Sequence, residues 1–176
     1  MANLLRKVNK KATLITGVIA GLLFCIPVLF FISDAEYRNS WLIYLGSFLF
    51  FITIWIHTLR DSRKRAHNES TIALIFASHM ATLLGIVVAC IGSFILLSIM
   101  IPGYLTSANP DHVLSGEPAN IVEDRTEGLS FQVFLAATFI NFSVGSFSAI
   151  ILSFAAKKNQ KKDQRDPAPL HQHGVE

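Results

Sequence analysis

The sequence predicts an all-α integral membrane bundle of four transmembrane helices with both termini cytoplasmic, and three observations carry that reading. Only 15% of the 176 residues are charged while 52% are hydrophobic, against about 25% charge in an ordinary soluble domain. The shortage is concentrated: residues 12–33, 39–59, 70–110 and 128–156 contain no Asp, Glu, Lys or Arg. Between these stretches the basic residues alternate. The segments before the first, between the second and third, and after the fourth hold 13 of the 15 Lys and Arg, and the other two connections hold one each.

A bilayer core about 30 Å thick is crossed by about 20 helical residues rising 1.5 Å each. Every charge-free stretch contains that many. The chain therefore reads as a four-helix transmembrane domain over 1–156, with helices at about 9–32, 40–60, 70–101 and 129–156 and an outer loop at 102–128. Residues 157–176, charged and ending in "DPAPLHQHGVE", are expected to form a disordered cytoplasmic tail. No length is left for a separate soluble domain. Lys and Arg mark the side that is not translocated, which puts both ends and the 60–70 loop in the cytoplasm of a cell whose inner (plasma) membrane holds the protein. The net charge of +3 follows from that alternation and calls for no nucleic acid. The partners expected are the lipid bilayer and, through helix packing, a second copy in a homodimer or another membrane protein.

The first helix follows a basic start, and Ser33-Asp34-Ala35 has the small residues of a signal cleavage site. Its apolar run from Ala12 to Ile32 is longer than the 7–15 residues of a secretion signal, so it is expected to stay as a helix. Thr13, Gly17, Gly21 and Cys25 recur every fourth residue, and Gly17-x-x-x-Gly21 is a spacing that lets helix backbones approach. Pro27 removes one backbone hydrogen bond. The second helix carries Trp41 and Tyr44 at one end and Trp55 at the other, as interfacial rings do. Its bulky "FLFFITIW" middle is expected to face lipid over much of its surface. The third helix is overlong, and Ala77, Ala81, Gly85, Ala89 and Ser93 stripe it at four-residue spacing. The fourth repeats the device with Ala137, Asn141, Gly145, Ala149 and Ser153. Helices three and four are expected to meet along these two stripes. The outer loop is punctuated by Pro102, Gly103, Pro110, Gly116, Pro118 and Gly128, with a short helix expected around Ala119–Arg125. Cys25 and Cys90 both fall inside apolar runs and read as small packing residues.

Candidates for chemistry are few. His57 and His79 are the strongly titratable groups inside the spans, and such groups are functional candidates by default. His57 lies three residues from Arg60 and reads as interfacial, with His79 at a different depth. A metal site usually needs three or four ligands, and the spans hold no carboxylate. Asn141, near the middle of its helix, needs a partner in hydrocarbon, with Thr82, Ser93 or a carbonyl across the interface expected. His79, Thr82 and Asn141 could also line a polar path, with Thr138 and Ser148 beside Asn141. His171-Gln-His173 could hold a metal ion only weakly. Asn68-Glu-Ser70 and Asn141-Phe-Ser143 match the glycosylation pattern but fall on the cytoplasmic side and inside a span. The sequence holds no glycine-rich phosphate loop, GxSxG, HExxH or CxxC, so neither an enzyme nor a bound cofactor is expected.

The basic cytoplasmic ends, the second helix "YLGSFLFFITIWIHTLRD", the long third helix and the Lys-rich end of the fourth resemble the small four-helix bacterial inner-membrane proteins grouped as families of unknown function. The resemblance implies a compartment and supplies no catalytic residue. The expected role is that of an accessory, assembly or scaffold protein acting through helix packing. One alternative is a small transporter or channel using the path near His79 and Asn141; another is a haem or metal redox protein using His57 and His79.

Overall fold

The computed structural model describes residues 9–34, 36–64, 71–101, 104–105 and 128–165. Four of its helices are long and apolar enough to cross a membrane. α1 spans Lys10–Ser33, α2 Trp41–Lys64 and α3 Thr71–Met100. α4 consists of an α-helical segment Leu129–Leu135, a π-turn Ala136–Ile140 and a second α-helical segment Asn141–Arg165. The short helix expected around 119–125 lies outside the described residues.

Local chemistry sets the ends. Asn9 caps α1, its side-chain oxygen accepting from the Ala12 N–H at 3.2 Å, which satisfies one of the donors a helix start leaves open. Between α1 and α2 the chain turns within a few residues through a 3₁₀ turn, Tyr37–Asn39. The turn is closed by Asn39 donating to the Asp34 carboxylate at 3.0 Å. α4 departs from expectation: it continues to Arg165, nine residues into the segment expected to be disordered. Lys, Gln and Arg are good helix formers, so an established helix runs on through "KKNQKKDQR" after the apolar stretch ends.

The helices form a four-cornered bundle. α1 and α4 occupy opposite corners, each packed on both α2 and α3, and α2 and α3 touch across the short diagonal. α1 and α3 run parallel and make the closest approach. A Cβ placed on Gly17 would lie 2.8 Å from the Ala81 carbonyl oxygen, and one on Gly21 would lie 2.6 Å from the Gly85 carbonyl oxygen and the Val88 Cβ. Glycine is required at both positions because the obstacle is backbone. One level in, the Phe50 ring of α2 plugs the bundle: it is fully buried and would stand 2.7 Å from a Cβ on Gly85. The bulky middle of α2 therefore faces inward at Phe50 and Ile54, both fully buried, and outward at Phe48.

Helix three thus meets helix one most intimately, and helix four, its expected partner, is one of three neighbours it has. All five stripe residues Ala77, Ala81, Gly85, Ala89 and Ser93 are buried. Their neighbours across the seam include Gly17, Gly21 and Cys25. Contact with α4 comes through the adjacent face, where Gly145 abuts the Thr82 side chain.

Replacing Gly21 by Leu is expected to lower stability in detergent by about 1–3 kcal/mol or to prevent assembly, as overpacking against an unyielding neighbour does. Leu22→Ala, one position away on the outer face, is expected to stay within about 0.5 kcal/mol of the parent. Thermal unfolding of the two variants side by side reads the difference.

Candidate functional site

Polar groups collect at three places in the bundle. The first joins α2 to α3: Thr58 and Ser78, both fully buried, share a hydrogen bond of 2.9 Å between their hydroxyls. Each also lies within bonding distance of the carbonyl four residues back, Ile54 for Thr58 and Leu74 for Ser78, so one hydroxyl donates across the pair while the other donates to its own helix. Neither residue stands out in the sequence, since a hydroxyl in an apolar run gives no sign of its partner. With α2 and α3 antiparallel, this pair fixes the register, and it sets His57 and His79 at the same level rather than at different depths. The two rings then part company. His57 Nδ1 bonds Thr16 Oγ1 of α1 at 3.0 Å, whereas His79 Nδ1 donates to the Ile75 carbonyl of its own helix at 3.0 Å. Among the described residues no three His, Cys, Asp or Glu side chains gather as a metal-holding group.

The second place is the π-turn of α4. Here the Asn141 N–H reaches back five residues to the Ala136 carbonyl. Its usual partner, the Ala137 carbonyl, accepts instead from the Asn141 side-chain amide at 3.2 Å. The expected partner across the interface is therefore replaced by a carbonyl on the same helix, released by the change in backbone pairing. A π-turn also takes more residues per turn than an α-helix, which keeps Ala137 and Asn141 together on the inner side. Asn141 is fully buried, and its Oδ1 accepts no hydrogen bond from the described residues. Gly145, Ala149 and Ser153 continue the buried stripe. Thr138 does not join it: it faces outward and donates to the Phe134 carbonyl at 2.6 Å.

The polar-path candidates are thus placed but not assembled. Thr82 is fully buried, donates to the Ser78 carbonyl at 2.9 Å and packs on Gly145. Asn141 turns its amide onto its own helix, and His79 is half-buried with its Nδ1 occupied.

The third place was missed by sequence reasoning. A cavity of about 420 Å³ opens between the start of α1 and the end of α2, lined by Asn9, Ala12, Ile15, Thr16 and Ile19 from one helix and Thr53, Ile56, His57, Arg60 and Asp61 from the other. The Thr16–His57 bond ties its two walls together. The basic loop after Leu59 and the cap at Asn9 were each legible; that they share one groove depends on the α1–α2 register. A second cavity of about 350 Å³ lies at the opposite end between α2 and α4, with Tyr44, Phe131 and Ala136 in its lining. None of His79, Thr82 and Asn141 lines either cavity.

No protein-family model, curated protein sequence or solved structure matches this chain. The Gly17-x-x-x-Gly21 face is occupied within the chain by α3, so a homodimer would have to use another surface.

The Asn141 bond to Ala137 contributes about 0.5–1.5 kcal/mol, while burial of an unpaired oxygen costs about 1–3 kcal/mol. These nearly cancel. Asn141→Leu, similar in volume, is therefore expected to change unfolding stability by less than about 1 kcal/mol. A loss of several kcal/mol would reveal a strong acceptor role for Oδ1.

Proposed function

We propose that this chain is a multi-pass protein of the cell inner (plasma) membrane, with its N and C termini and the 60–70 loop cytoplasmic, acting as an accessory, assembly or scaffold protein through the outer faces of its helices. One observation carries the reading: the bundle is predominantly apolar outside and buries a set of hydroxyls and the Asn141 amide inside. Ile72, Phe139, Phe154 and Ile99 are 64%, 67%, 61% and 76% exposed, while Thr58, Ser78, Thr82, Ser93 and Asn141 are fully buried. Soluble monomers rarely expose apolar surface around a whole circumference.

Outward hydroxyls support the same reading. Ser98, Thr138 and Ser143 each donate to the carbonyl four residues back, at 2.7, 2.6 and 2.8 Å, so none asks for a partner in hydrocarbon. The orientation rests on the distribution of Lys and Arg. Packing is preferred over transport because Thr82 and Asn141 turn their donors onto their own helix and Thr82 is covered by Gly145.

Two measurements test this. In a background with both native cysteines replaced, an impermeant maleimide applied to intact cells is expected to label Ser115→Cys, in the 102–128 loop, and to reach Asn68→Cys only after permeabilisation. The reverse pattern would invert the topology. Purified protein in liposomes is expected to leave sodium, potassium and proton leak at the level of empty vesicles; a protein-dependent flux would favour the channel alternative.

A further inference from the structure

The groove between α1 and α2 grades from polar to apolar along its length. Asn9, Arg60 and Asp61 stand at one end, Thr16 and His57 in the middle, and Ile15, Ile19, Ile56 and Thr53 further in. From Asn9 to Ile19 the rise along α1 is about 15 Å. The isoleucines are about half exposed, Ile15 and Ile19 at 46% and Ile56 at 48%, so the apolar end opens sideways rather than into the bundle. Arg60 is exposed and forms no ion pair with another described residue, while Asp61 beside it is already partnered. The start of α1 at Asn9 adds the partial positive charge of a 24-residue helix to the same end.

We infer that this groove is a binding site for one glycerophospholipid, its phosphate held by Arg60 beside the α1 N-terminus and one acyl chain laid along Ile15, Ile19 and Ile56. The occupant follows from complementarity. A soluble anion would use the polar end and make no contact with the isoleucine wall. A plain hydrocarbon would leave Arg60 without a counter-charge. A phosphate joined to an acyl chain satisfies both ends at once. Planar guanidinium binds phosphate through paired N–H donors, and Arg60 stands at the boundary where a lipid headgroup would lie. The inference rests on the membrane reading above, since only then does the apolar end of the groove face acyl chains.

The test titrates purified full-length protein in detergent with dioleoylphosphatidylglycerol and counts bound lipid by native mass spectrometry. The wild-type chain is expected to take up one molecule ahead of the weaker, graded adducts. Arg60→Gln is expected to weaken that first event at least tenfold. Ile19→Trp, which fills the apolar end from an already exposed position, is expected to weaken it similarly. Arg38→Gln, at the opposite end of α2, should leave it unchanged. Dioleoylglycerol, which lacks the phosphate, should bind no better to wild type than to Arg60→Gln, and 10-fold excess inorganic phosphate should not displace the phospholipid. Equal phosphatidylglycerol binding by wild type, Arg60→Gln and Ile19→Trp would overturn the proposal, as would displacement by inorganic phosphate, which would make the site one for a free anion. Failure of the membrane reading would appear in the maleimide labels instead, independently of how the Arg60 and Ile19 variants compare.

Discussion

The backbone approach of α1 to α3 governs everything else in this bundle. Gly17 and Gly21 on one side and Ala81, Gly85 and Ala89 on the other keep side chains out of the way, so main chains come together where a methyl group would collide. In the proposed bilayer, burial of apolar surface gives little preference for helix on helix over helix on lipid. What remains is dispersion, about 0.1–0.2 kcal/mol per atom pair, which becomes appreciable only when many atoms touch. Interhelical hydrogen bonds between side chains average about 0.6 kcal/mol in lipid. The Thr58–Ser78 and Thr16–His57 bonds are therefore register marks, and the seam supplies the cohesion.

From the seam the remaining placements follow. Phe50 can fill the centre only because Gly85 leaves a notch. The Phe50 plug brings α2 across the diagonal to α3, where Thr58 meets Ser78, and the same placement sets His57 against Thr16. That last contact closes the middle of the groove at the α1–α2 end. A change at Gly85 would thus reach Arg60 through the position of α2, although the two residues lie far apart along the chain. The groove offers one guanidinium, one carboxylate, an imidazole, hydrogen-bonding groups and an apolar wall, which we assign to binding.

Much of this was legible in the residues, for definite reasons. The four helices show because charge is excluded from each of them, and the inner face of α3 shows because small residues repeat at a fixed spacing. Which neighbour a stripe meets is not written in the stripe. Ala81 and Gly85 read the same whether α1 or α4 lies opposite, and the choice depends on the competing fit of Gly17, Gly21 and Phe50. The π-turn before Asn141 leaves no mark in composition, so the partner of that amide could not be read. The extension of α4 to Arg165 was hidden by its charge, which suggests disorder by composition and helix by propensity. The groove was hidden for another reason: its two walls lie more than thirty residues apart in the chain, in two segments with separate and ordinary explanations, a helix cap and a basic anchor.

The parallel α1–α3 seam can be tested by one covalent link. A Cβ on Gly92 would lie 3.8 Å from the Cβ of Cys25, the mean separation found in disulfides. In a Cys90→Ser background, Gly92→Cys should form an intramolecular bond with Cys25 on mild oxidation in membranes. Intact mass would fall by the two hydrogens lost and the free thiols would disappear. Thiols that stay free under oxidation, or that link only between chains, would show that α1 does not pack against α3 in this register.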